Sequence, residues 1–135
     1  MQIHGLGNCA GEIIERCRDT MKNFKEHNKL VRDKIPEILS KNGCQPEVEI
    51  LSDADYVKLL NLKLLEEANE VVDAIERTDK IEELADLLEV VHALIDTVDT
   101  SLAEVEEVRL RKKEKRGGFA KKVLLKRALV VEKLQ

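Results

Sequence analysis

Aromatic side chains are scarce: Phe24, Tyr56 and Phe119 are the only three, and there is no tryptophan. The basic stretch 109–127 contains one of them, so it lacks the interleaved aromatics on which single-stranded nucleic acid stacks. Cysteine is also sparse. Cys9, Cys17 and Cys44 form no C-x-x-C pair, and an odd, low count argues against a disulfide framework and for a reducing compartment. No apolar run is long enough to cross a bilayer. Residues 1–10 lack the basic start and apolar stretch of a signal peptide. These absences lead to the expectation of a cytoplasmic protein with no membrane partner and no nucleic-acid partner.

What the chain does have is charge. Of its 135 residues, 37 % are charged, and the apolar remainder is mostly Leu, Val, Ile and Ala. That length suits one domain with a modest core. The composition suits an all-α helical bundle with charged outer faces, one that completes its core as a homo-oligomer, a dimer or tetramer. The net charge of −4 hides an asymmetry. Residues 47–108 hold nineteen acidic and four basic side chains, whereas residues 109–127 hold ten basic and one acidic. An acidic middle attracts cations and a basic stretch attracts anions. A metal-bound polyphosphate needs both.

Periodicity divides the chain. Residues 1–28 form an N-terminal extension, in which Ile13, Ile14, Cys17, Met21 and Phe24 recur at helical spacing. A second helix is expected over Leu30–Lys41. Pro36 delays its regular part to around Ile35, and Asn42-Gly43 ends it. Residues 47–51 alternate polar and apolar and suit an extended segment, to which 119–125 could pair. Ser52 or Asp53 caps a long helix to about Arg77. A turn at Thr78 and Asp79 opens another to about Val98, and Thr100 and Ser101 cap a fourth over Leu102–Arg116, ended by Gly117-Gly118. The main domain is read as 29–125, with 126–135 as a C-terminal tail.

Two helices carry carboxylates where apolar residues belong. Leu60, Leu64, Glu67 and Val71 follow one seam of an amphipathic helix, and Glu83, Leu87, Val90 and Leu94 follow another. Glu67 and Glu83 interrupt these stripes. Glu70 and Asp86 each lie three residues further on and share their faces. A short loop makes the helices adjacent and antiparallel. Four carboxylates then converge, with no lysine or arginine expected nearby. Such a cluster repels itself unless a cation intervenes. All-oxygen ligands favour Mg²⁺, with Mn²⁺ as a substitute, over zinc. An isolated E-x-x-E is normally a solvated helix face; two such motifs on consecutive helices, each breaking a seam, are more specific. Glu82, Glu89 and Asp73 fit solvated roles, and His92, on the azimuth of Leu88 and Ile95, fits a core histidine.

At these positions the chain resembles a known family. Glu66-Glu67-Ala68-Asn69-Glu70, followed by Glu83-Leu84-Ala85-Asp86, is similar to the E-E-x-x-E … E-x-x-D signature of the MazG-like all-α nucleotide pyrophosphohydrolases. The blocks Lys29-Leu30-Val31-Arg32-Asp33-Lys34-Ile35-Pro36 and Arg116-Gly117-Gly118-Phe119 resemble a K-L-V-R-D-K-I-P opening and an R-G-G-F closing in the branch related to phosphoribosyl-ATP pyrophosphohydrolase. The resemblance implies an all-α fold and hydrolysis of a nucleotide substrate between the α and β phosphates. It implies Mg²⁺ held by Glu67, Glu70, Glu83 and Asp86, and places Glu66 as the group that activates water.

Two basic clusters complete the set of candidates. Lys112, Lys113 and Arg116 precede the glycine pair, where a basic helix end and an approachable backbone suit phosphate, although the same pattern serves as an ordinary helix C-terminus. Lys29, Arg32 and Lys34 form the other. Here the alternative is a charged turn with Arg32 and Asp33 paired. The competing function is a non-catalytic helical oligomer that binds nucleotide or nucleic acid.

Overall fold

The computed structural model describes residues 27–133, so the helix expected between Cys9 and His27 lies outside them. Among the described residues four helices follow in order: α1 (Ile35–Lys41), α2 (Asp53–Asp73), α3 (Arg77–Asp96) and α4 (Leu102–Arg116). The described residues contain no strand. Residues 47–51 and 119–125 are irregular, and the β pairing proposed for them does not form. The fold is all-α. The described residues divide into two compact units, one up to residue 100 and one from residue 101 onward.

Local chemistry sets the helix ends. Pro36 occupies the first turn of α1, where its missing N–H costs nothing. The amide of Ile35 donates to the Arg32 carbonyl at 3.0 Å, which fixes the approach to the helix. Asn42 closes α1 by donating its side-chain amide to the Ile38 carbonyl at 2.7 Å, and Gly43 turns the chain at φ +83°. The Ser52 hydroxyl accepts from the amide of Asp55 at the start of α2, and the Ser101 hydroxyl accepts from that of Glu104 at the start of α4.

The turn between α2 and α3 comes earlier than periodicity suggests. Helix α2 stops at Asp73 rather than near Arg77, because Ala74 and Glu76 are extended. The Lys80 ammonium, one turn into α3, donates to the Val71 carbonyl. It thus serves a carbonyl of the last turn of α2 and adds a positive charge at that end. With only residues 74–76 between them, α2 and α3 pack on one another as a helical hairpin.

The first unit has a small core: Ile35, Cys44, Leu60, Val90 and Ile95 are its buried apolar side chains among the described residues. Leu60, at 4 % exposure, sits at its centre, and Leu60→Ala should cost about 2–4 kcal/mol of stability, measured by urea denaturation. Cys44 is buried and disulfide-bonded. The low cysteine count argues against a disulfide framework, and a bond at Cys44 runs against that expectation; spacing alone cannot show a bond that tertiary approach creates. His92 is exposed, as is Leu88 one turn before it, so the histidine is not a core residue. Ile95, on the same azimuth one turn later, is buried, so the stripe passes from the surface into the core only after His92. Among the described residues, no helix is long and apolar enough to cross a membrane.

Candidate active site

The seams of α2 and α3 face inward, and they take their carboxylates with them. Leu60 and Glu67 are buried on α2, and Glu83 and Val90 are buried on α3. Glu67 is only 6 % exposed and Glu83 only 5 %. Glu70 and Asp86, each one turn on, are half-buried. Glu67, Glu83 and Asp86 each present an oxygen, and the three oxygens lie within 4.8 Å of one another. Glu70 falls outside this tight group, although its charge still acts on Glu83.

The electrostatics follow from that crowding. Burial pushes the Glu67 carboxyl above its ordinary value of 4.5; Lys63 opposes the rise, and Asp86 and Glu66 add to it. Burial also raises Glu83, and in its case the neighbours Asp86, Glu70, Glu67 and Glu82 all push the same way. Among the described residues Glu83 has no ion-pair partner. These shifts have a signed consequence. A carboxylate whose folded-state pKa is raised stabilises the fold fully below its unfolded value, and that contribution is lost as pH climbs through the raised value. In the presence of chelator, the thermal midpoint should therefore fall as pH increases from about 4.5, the ordinary value of both groups. A set of melting curves between pH 4.5 and 8 checks this.

The expectation that no cation stands near the cluster is wrong. Lys63 lies one turn before Glu67, and its ammonium is 3.2 Å from Glu67 Oε1 and 3.6 Å from Glu66 Oε2. The i, i+3 and i, i+4 spacing that brings them together is visible in the sequence. From the segment before α1, Lys29 reaches Glu66 at 3.3 Å and Arg32 reaches Asp86 at 2.6 Å. Arg32 thus pairs with a distant carboxylate on α3, not with its neighbour Asp33. Lys34 is exposed at the N-cap of α1.

The second unit holds the other basic candidates. Lys112 and Arg116 line, with Val108, Arg111 and Lys115, an open concavity of about 300 Å³. The carbonyl of Lys113 accepts from the amide of Gly117, where the backbone turns at φ +81°. Phe119 is almost fully exposed. Glu82, Glu89 and Asp73 are exposed, in keeping with solvated roles.

The donor set fits a hard divalent ion. It contains only carboxylate oxygens, and oxygens across an ion bound at 2.0–2.6 Å lie roughly 4–5 Å apart. Residues 57–118 match the family model of the MazG nucleotide pyrophosphohydrolase domain. That match is consistent with a MazG-like superfamily. The MazG span comprises α2 from Val57 onward, α3, α4 and the glycine pair, and so contains both acidic motifs. It begins after the Lys29–Pro36 block. With a MazG domain goes nucleotide pyrophosphohydrolase activity, a hydrolysis of acid anhydrides. No curated protein and no solved structure matches the chain.

Proposed function

We propose that this protein is a Mg²⁺-dependent enzyme that hydrolyses a nucleoside triphosphate, or a related nucleotide, between its α and β phosphates. The products are a monophosphate and pyrophosphate, and removal of non-standard nucleotides is a fitting role. The observation that carries the reading is the group formed by Glu67, Glu83 and Asp86, with oxygens within 4.8 Å on two packed helices of the MazG span. Glu70, one turn from Glu67, completes the ligand set. Mn²⁺ would substitute, because it accepts the same oxygen donors.

When bound, such an ion orients the phosphates, offsets charge that develops on them and acidifies a coordinated water. The protein does the remainder. Glu66 lies on α2 beside Glu67, held by Lys29 and Lys63. It takes the proton of the attacking water as the new P–O bond forms and the bridging P–O bond breaks. Lys63 holds Glu66 and Glu67 in register. Lys29, Arg32 and Lys34 from the segment before α1, and Lys112, Lys113 and Arg116 from α4, supply positive charge for phosphate oxygens.

In this reading the catalytic domain is 29–125, wider than the MazG match at both ends. The protein acts as a homo-oligomer in the cytoplasm. Assembly is supported by apolar side chains left outward on the hairpin, among them Leu62, Leu65 and Val72 on α2 and Leu88 on α3. A core this small leaves such surface to be covered by another chain. The test of the reaction is incubation with a panel of nucleotides and Mg²⁺, followed by ³¹P NMR. Monophosphate and pyrophosphate in equal amounts are expected. Their absence across the panel would overturn the proposal.

A further inference from the structure

Lys29 and Arg32 stand three residues apart in an irregular segment, yet they reach two different helices. Lys29 ends on Glu66 of α2 and Arg32 on Asp86 of α3. The Arg32 side chain is 56 % exposed, whereas Asp86 is 16 % exposed. The guanidinium therefore approaches from solvent and closes on a carboxylate set deeper in the fold. Its backbone is held, because the Arg32 carbonyl accepts from the amide of buried Ile35 at 3.0 Å. A fixed backbone with a long, exposed side chain lets the charged end move while its origin stays in place.

Asp86 thus has two claims on it. It belongs to the three-carboxylate group, and one of its oxygens lies 2.6 Å from Arg32. A divalent ion and a guanidinium on the same small carboxylate repel each other over a few ångströms. We propose that Arg32 is an exchangeable counter-cation. Ion entry at Asp86 displaces its guanidinium, which then takes a phosphate oxygen of the incoming polyphosphate. The inference rests on the metal site proposed above. It makes Arg32 a substrate-binding residue that is withheld until the ion arrives, so binding of ion and of polyphosphate is coupled through one side chain.

Arg32→Gln separates this from a purely orienting role. If Arg32 only oriented Asp86, its loss would weaken ion binding, by about 10- to 100-fold for such supporting contacts. If Arg32 competes, its loss strengthens ion binding. The experiment is calorimetric titration of the full chain, wild type and Arg32→Gln, with MnCl₂ alone and then with inorganic tripolyphosphate in saturating Mn²⁺. The variant should bind Mn²⁺ about three- to tenfold more tightly and tripolyphosphate at least about threefold more weakly. These opposite signs in one variant would not arise from a general loosening of the fold. Mn²⁺ affinity that is unchanged or reduced, or unchanged tripolyphosphate affinity, would overturn the exchange. A wild type that binds no Mn²⁺ removes the metal site and the exchange with it. Normal wild-type binding without the opposite-signed response removes the exchange alone.

Discussion

Glu83→Gln should abolish pyrophosphate release and, in the presence of chelator, make the protein harder to melt. The two effects have one cause. Glu83 is buried, lacks an ion-pair partner among the described residues, and faces Asp86, Glu70, Glu67 and Glu82, all of which disfavour its charge. A neutral isostere removes that repulsion and keeps the shape. The gain should be about 1 kcal/mol at pH 7, or roughly 4–8 °C in the thermal midpoint. The same change deletes a proposed metal ligand, so turnover should drop by about 10²-fold or more. Glu67→Gln should lose activity as severely but gain less stability, because Lys63 already offsets the Glu67 charge at 3.2 Å. Paired melting curves and pyrophosphate assays distinguish the two variants. A Glu83→Gln protein that melts earlier than wild type would mean that the carboxylate is stabilising where it stands.

Glu66→Gln should behave differently. Glu66 is held by Lys29 and Lys63 and lies outside the three-carboxylate group. Its loss should reduce kcat by about 10²- to 10³-fold while Mn²⁺ affinity remains within a few-fold of wild type. Rate measurements at saturating Mn²⁺, alongside titration of the ion, give both numbers. If Glu66→Gln loses the ion as completely as Glu83→Gln, Glu66 is a ligand and not the base.

The hairpin was legible in the sequence because burial imposes a period. A carboxylate at Glu67 or Glu83 stands out only against Leu60, Leu64, Leu87 and Val90, and those seams do face inward. The helix starts were legible to within two residues, Ser52 or Asp53 and Thr100 or Ser101, and the stop at Asn42-Gly43 was legible too, for a different reason: a helix end leaves backbone groups open that these residue types satisfy or turn away. The turn at residues 74–76 was misplaced by about a helical turn, because Lys80 reaches back to the Val71 carbonyl and no local pattern announces that contact. Lys63 could have been read from its spacing to Glu66 and Glu67. The contacts of Lys29 with Glu66 and of Arg32 with Asp86 could not, because they join positions 37 and 54 residues apart. The family resemblance nevertheless singled out the block that contains both.

The carboxylate group on α2 and α3 is the centre of the account, and Mn²⁺ reports on it directly. Electron paramagnetic resonance of the full chain titrated with Mn²⁺ should show bound ion in the wild type. That signal should be lost in both Glu67→Gln and Glu83→Gln, with the helices intact by circular dichroism. Wild-type Mn²⁺ binding retained in both variants would contradict the assignment, whatever reaction the protein performs.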